Sequence, residues 1–293
     1  MANILVAGCG YVGNRVASGE QSLNNNVTGL VRTQASSRHL QQAGIESIVY
    51  DLDITVYVPP LPSSIDLVYY FIPPPATGKI DPRIDYFLQM LEKTAMPERL
   101  VLLSTTGVYG NCDGAWVTEE TPARPQVDRA RRRLWAEQAL QRWARRHRRV
   151  SIILRVPGIY GPGKLPVKRL QQQKPVLAPE DSPWSNRIHI DDLVSACLAA
   201  GHHPDPQPVY NISDGHPSSM TDYFFRVADA MGINRPPAIN KTEADKRMSA
   251  GMLSYLEESK RIDNRLMREH LGVDPVYWDL DEGIRNSMTP ATR

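Results

Sequence analysis

The feature that most limits how this chain can fold is its opening run, Asn3-Ile4-Leu5-Val6-Ala7-Gly8-Cys9-Gly10-Tyr11-Val12-Gly13-Asn14-Arg15-Val16-Ala17. The apolar stretch from Ile4 reads as a buried strand, Gly8, Gly10 and Gly13 form G-x-G-x-x-G, and helix formers follow at once. Each glycine has its own reason: Gly8 allows a sharp turn, Gly10 lets the backbone approach a pyrophosphate, and Gly13 lets the new helix sit close to the strand. The phosphates would rest on the helix N-terminus, where unpaired N–H groups and the helix dipole favour negative charge. Cys9, Tyr11 and Val12 share that turn, so the run from Gly8 to Gly13 is the first cofactor-binding segment.

Composition sets the scale. At 293 residues, 41% hydrophobic and 23% charged, the chain can form a large α/β core with a smaller second lobe. A formal net charge of +2 gives no global pull toward nucleic acid or membrane. Cys9, Cys112 and Cys197 are far apart and form no C-x-x-C pair, which suits a reducing cytoplasm and offers no zinc-ligand spacing. No apolar run approaches the roughly 18 residues that span a bilayer, and with a first strand at Asn3 the expectation is a cytoplasmic protein.

Strand and helix then alternate. Val27–Val31 is a second strand ending at Arg32, where a dinucleotide fold places an acid for a ribose 2′-hydroxyl or an arginine for a 2′-phosphate. Arg32 therefore points to NADP rather than NAD; a solvated loop residue is the alternative. Ile45–Tyr50 is a third strand, and Asp51 and Leu52 follow it where an adenine would lie. Ile65–Ile72 is a fourth, stopped by Pro73, Pro74 and Pro75, which cannot donate ladder hydrogen bonds. Ile72 and Pro73 should pack against the middle of the cofactor. A helix from about Pro82 to Lys93 leads to a fifth strand, Arg99–Leu103, then Ser104-Thr105-Thr106-Gly107-Val108-Tyr109-Gly110. This alternation predicts a Rossmann-type, doubly wound parallel sheet with right-handed crossovers.

Ser104 to Gly110, with its small hydroxyl residues before V-Y-G, resembles the extended short-chain dehydrogenase/reductases, also called NAD-dependent epimerase/dehydratases. Glu119-Glu120-Thr121-Pro122, the run Leu154 to Gly163, Ile188-His189-Ile190-Asp191-Asp192-Leu193 and Val209-Tyr210-Asn211-Ile212-Ser213 continue the resemblance almost to the C-terminus. It implies that Ser104, Pro157 and Ile159 touch the cofactor, that Thr105 hydrogen-bonds the reacting oxygen, and that a homodimer forms.

The chain departs from that family on the helix that carries the chemistry. Arg129 stands where the Tyr of Y-x-x-x-K belongs and Arg133 where its Lys belongs. An arginine does not deprotonate at working pH, so Arg129 cannot be the acid/base, although Arg133 can still hold a ribose. Arg129 is then an anion-binding residue, with Tyr109 or Tyr160 as substitute acid/base. On the same helix Trp135, Ala139 and Trp143 recur at helical spacing before Arg145-Arg146-His147-Arg148-Arg149. A packed face, used in the homodimer, is favoured over nucleic-acid binding.

Residues 1–163 and 186–213 are assigned to the cofactor domain, and 164–185 and 214–293 to a substrate-binding cap. In sugar-nucleotide epimerases an Arg four residues before the I-H-V histidine grips the diphosphate. Here that position is Ser185, and Arg187 lies two residues before His189, available to another anion. His189 is read as structural, before a helix capped by Asp191 or Asp192. Two functions remain open: an NADP-dependent oxidoreductase or epimerase on a small polar or anionic substrate, with Thr105, Arg129, Tyr160 and Arg187 around it, or a non-catalytic NADP sensor.

Overall fold

The computed structural model describes residues 1–54 and 57–288. Its centre is a seven-stranded sheet of β1 (Asn3–Ala7), β2 (Asn26–Val31), β3 (Glu46–Val49), β4 (Leu67–Tyr70), β5 (Arg99–Thr105) and the strands Val150–Val156 and Val209–Asn211. In space the order is β3-β2-β1-β4-β5, then 150–156, then 209–211, with every pairing parallel. The order reverses between β1 and β4, where ligands bind in open α/β sheets. The fourth strand, Leu67–Tyr70, is shorter than its apolar run; past it the Phe71 N–H still donates to the Ala7 carbonyl at 2.8 Å, and Phe71 and Ile72 pack on Gly8.

Alternation along β1 separates two apolar layers. Ile4 and Val6 face α1 (Tyr11–Ser22), α2 (Gln34–Gln42) and the helix Ile190–His202; Leu5 and Ala7 face α3 (Pro82–Thr94) and α4 (Asp128–His147). Both faces are apolar because both are covered, as in parallel sheets generally. The glycine turn then joins β1 to α1. Gly8 has φ +97°, and a Cβ there would stand 2.8 Å from the Ile72 nitrogen; a Cβ on Gly13 would collide with the Gly8 carbonyl oxygen.

The tryptophan stripe on α4 is used inside the chain. Trp143 is 5% exposed in the α3/α4 layer, and Trp135 Nε1 donates to Asp85 of α3 at 2.9 Å. The face left outward carries exposed Arg142, Arg145 and Arg146, whose like charges would oppose one another across a two-fold axis. Trp143 is thus spent on the chain's own core, whereas Trp135 stays half-buried.

Residues 164–185 and the helix Met220–Ala230 form a separate small core, with Leu170, Val176, Phe224, Val227 and Ile284 buried together. The C-terminal third is not all cap: Met267, Leu271 and Val273 return to the sheet and pack in the layer of Tyr210.

A buried polar network ties α4 to the sheet. Glu137 is 1% exposed and takes Arg155 Nη2 at 2.8 Å and the Ser104 hydroxyl on its other oxygen. The Arg155 guanidinium lies 4.8 Å from the centroid of the Tyr109 ring, and Tyr109 donates to Asn211 at 2.7 Å. Three strands and one helix thus share one set of satisfied groups. Removing one partner of a buried pair strands the other charge, so Glu137→Ala should lower unfolding stability by about 3–5 kcal/mol in urea titration. A loss below about 1 kcal/mol would show that Arg155 finds water instead.

Candidate functional site

The sheet edge at the β1/β4 reversal opens into a cavity of about 370 Å³ lined by Gly8, Gly10, Tyr11, Val12, Gly13, Phe71, Leu103, Pro157, Ile159 and Lys164. At its floor α1 begins at Tyr11 with no side-chain cap and no acid in its first turn, so its first N–H groups face the cavity without protein acceptors. A Cβ built on Gly10 meets nothing within 4 Å. The two other motif glycines are required by packing, whereas Gly10 is bare on the side of the cavity, the arrangement a pyrophosphate lying against the backbone calls for. Tyr11 closes the far wall, with its hydroxyl on the Pro162 carbonyl at 3.0 Å and the Lys164 amine 5.0 Å from its ring centroid.

Cys9 contributes backbone only. Its thiol is buried, donates to the Val6 carbonyl at 3.3 Å and is pushed up to about 12 by burial. Arg32 follows β2 with its side chain exposed and makes no ion pair among the described residues. Asp51 and Leu52 lie just beyond β3; Leu52 is buried, and Asp51 accepts the Asp53 N–H at 3.0 Å. The Ile72 carbonyl faces Arg133 Nη1 at 3.4 Å and the Pro73 carbonyl takes Arg83 at 2.8 Å, so this donor-poor loop bridges the glycine turn and α4. Burial lowers the pKa of Arg133, and the Asp81 carboxylate opposes that shift.

Pro157, Ile159 and Lys164 also line an adjoining, larger chamber of about 650 Å³ under the cap. Thr105, at the C-terminal end of β5, lines it. Its Oγ1 accepts the Gly107 N–H at 3.2 Å, leaving the hydroxyl proton free to donate. Arg129, Arg133, Tyr160 and Arg187 also line the chamber, so the substrate residues read from sequence do converge. Arg129 is committed, however. Its guanidinium donates to the Ser254 hydroxyl at 2.7 Å, pairs with Glu258 at 3.3 Å and lies 3.8 Å from the Tyr255 ring centroid. The acid/base position of the resemblance has become a strap between α4 and the cap helix Ala250–Leu256.

Two assigned residues face elsewhere. Ser104 is 5% exposed and turned onto Glu137, away from both cavities. Tyr109 is 1% exposed, lines neither cavity and holds its proton, because burial raises its pKa; it is a packing and hydrogen-bonding residue, not an acid/base. Tyr160 is raised by burial too and points its hydroxyl at the Tyr277 carbonyl, 3.5 Å away. His189 is itself the helix cap: its Nδ1 accepts the Asp191 N–H at 3.3 Å, while Asp192 turns back to accept from Val276 and Tyr277. The helix starts at Ile190, two residues earlier than a cap at Asp191 would place it and three earlier than one at Asp192.

Several lining residues belong to no motif. Lys164 follows Gly-Pro-Gly and touches both cavities. Lys260 is held by Glu258 at 2.7 Å and the Gly110 carbonyl at 2.6 Å. Tyr223 lies over Arg187, its phenol pushed up to about 12 by burial. These come from segments remote in sequence, and only the folded cap brings them to the sheet edge.

Comparison with known proteins follows the same outline. Residues 4–213 match the NAD dependent epimerase/dehydratase family. The chain is 24% identical over 291 residues to Protein YeeZ of Escherichia coli strain K12, covering 96% of this chain and 100% of YeeZ. It superposes on a functionally unknown conserved protein from Silicibacter pomeroyi DSS with TM-score 0.82 and 26% identity over 98% of both chains. It also superposes on UDP-glucuronic acid 4-epimerase from Bacillus cereus in complex with UDP-glucuronic acid and NAD, with TM-score 0.76 and 19% identity over 97% of both chains, a likeness of fold. The match spans the glycine turn, all seven strands and the loop of Pro157 and Ile159, and the chain belongs to the NAD dependent epimerase/dehydratase family.

Proposed function

We propose that the protein is an NADP-dependent oxidoreductase or epimerase acting on a small polar or anionic substrate held between the sheet edge and the cap. The observation that carries this reading is that the two cavities adjoin: Pro157, Ile159 and Lys164 line both the cavity at the Gly8–Gly13 turn and the chamber that Thr105 lines. In this reading residues 1–163 and 186–213 hold the cofactor, and 164–185 with most of 214–288 close over the substrate. A bound nicotinamide supplies hydride-transfer chemistry. The protein's own residues then have separable jobs. The α1 N-terminus binds phosphate, Arg32 takes a 2′-phosphate, and Arg133 holds a ribose hydroxyl near the Ile72 carbonyl. Thr105 donates to the reacting oxygen, and the cap excludes water from the chamber.

The non-catalytic sensor is supported by a specific observation: the family's acid/base position is an arginine tied to Ser254 and Glu258, and Tyr109 is buried outside the chamber. Incubating the NADPH-loaded protein with a carbonyl panel separates the two. Loss of nicotinamide absorbance, or interconversion of hydroxyl epimers by the NADP-loaded protein, supports turnover; binding with neither supports sensing.

Arg32 should give NADP(H) at least tenfold tighter binding than NAD(H), since a charge-assisted contact to a phosphate contributes about 1.5–3 kcal/mol. Arg32→Asp should abolish that preference in parallel titrations. Equal or tighter NAD(H) binding by the wild type would contradict the assignment.

Arg129 should act as a strap. In Arg129→Ala, hydrogen exchange across residues 250–256 should quicken by roughly tenfold while exchange in β1 to β5 stays unchanged. Unchanged exchange in 250–256 would show that the contacts to Ser254, Tyr255 and Glu258 do not hold that helix.

A further inference from the structure

The chamber's cations are not equivalent. Arg129 and Lys260 share the Glu258 carboxylate, and Lys164 sits against Tyr11 at the cofactor end. Arg133 and Arg187 make no ion pair among the described residues; Asp81 acts on the first, and Asp214 and Asp222 on the second, only from a longer distance. Arg133 reaches the Ile72 carbonyl beside the glycine turn, which leaves Arg187. It is 6% exposed on the short strand Arg187–His189, and its hydrogen-bond acceptors are neutral: the Ser218 hydroxyl at 3.0 Å and the Ser219 carbonyl at 3.4 Å. Among the described residues no carboxylate pairs with it. Tyr223 covers one face of the guanidinium at 4.3 Å.

Two of the five guanidinium donors are used by those serines, and the remaining three suffice for one bidentate oxyanion. A desolvated cation with neutral partners is costly on its own account, and an incoming planar anion is the group that offsets the cost. The walls beside it are apolar. Met220, Phe224 and Met252 line the chamber, with Trp184 and Tyr255 exposed at its rim.

We propose that Arg187 is the receptor for a substrate carboxylate, and that the chamber takes a monocarboxylate with an aromatic or similarly flat apolar body. This rests on the chamber being the substrate site and names the class of substrate it takes. A diphosphate fits less well: it would bring at least two negative charges to one free guanidinium, and Asp214 lies close by.

Asp214 adds a pH signature. The carboxyl is buried beneath Arg187, and burial raises it to about 7, while the His216 N–H and Arg187 lower it and Asp192 raises it. Tyr160 and Tyr223, both protonated through neutral pH, also surround it, the His216 ring nitrogen Nδ1 lies 3.1 Å from the Asp214 carbonyl oxygen, and Asp222 acts on Arg187 from the next helix. Below that value Asp214 is neutral and Arg187 carries an unopposed charge; above it the carboxylate competes with the ligand.

The test is calorimetric titration of the NADP-loaded full-length protein with phenylacetate and 2-naphthoate, against their primary amides, acetate, inorganic phosphate and UDP. The aryl acids should bind at least tenfold tighter than the amides and acetate. Arg187→Lys, which keeps the charge but loses the fork, should weaken the acids at least tenfold. Their affinity should fall as pH rises through about 7, and stay flat in Asp214→Asn. Amides binding as well as acids, acetate binding as tightly as phenylacetate, or UDP binding more tightly than any acid and unaffected by Arg187→Lys would overturn the proposal. A separate NADP titration keeps the two readings apart: if NADP does not bind while the acids still require Arg187, the proposed function fails and the carboxylate site stands.

Discussion

The contact between the start of α1 and the end of β1 is the constraint on which the rest of the structure depends. Gly13 lies so close over the Gly8 carbonyl that a methyl group on it has no room, and Gly8 in turn sits against Phe71 and Ile72. That approach aims the helix N-terminus across the β1/β4 reversal and draws the fourth strand's exit loop beneath it. It also fixes which face of the sheet edge is available to a phosphate. The chamber is an extension of the same edge, since Pro157, Ile159 and Lys164 wall both cavities.

What distinguishes this chain from the family pattern is how α4 uses its charges. At the two positions where a Tyr and a Lys are expected, it carries Arg129 and Arg133, and one helical turn further on Glu137 is buried against Arg155 and Ser104. The helix is therefore held to the sheet by one ion pair, to the loop after β4 by Arg133, and to the cap by Arg129. Arg129, Arg133, Lys164, Arg187 and Lys260 line the chamber, with Glu258 its one lining carboxylate among the described residues, so the potential there is positive.

The fold was legible in the sequence because each strand is a short apolar run bounded by glycine, proline or asparagine, and periodicity reports such runs directly. The glycine turn and Thr105 were legible for the same reason, being local. Ser104 was misplaced because its neighbour Thr105 faces the cleft and a strand turns alternate side chains to opposite faces; Tyr109 was misplaced because it ends the helical turn Thr106–Tyr109, which lays its hydroxyl on Asn211. The commitment of Arg129, the burial of Trp143 and the roles of Lys260, Tyr223 and Asp214 depend on segments more than a hundred residues away or on side-chain contacts within the fold. No local pattern encodes those meetings.

The central claim is that the glycine turn binds the pyrophosphate of a nicotinamide dinucleotide, and Gly10 tests it most directly. A Cβ on Gly10 meets no protein atom within 4 Å, so no packing contact of the fold requires glycine there. A ligand lying against the backbone would leave that side chain no room. The measurement is cofactor affinity and thermal stability of Gly10→Ala beside the wild type. The account predicts an unliganded variant that still unfolds in one cooperative transition, with cofactor affinity reduced at least tenfold. A variant that melts like the wild type and binds the cofactor as tightly would place the phosphates elsewhere and contradict it.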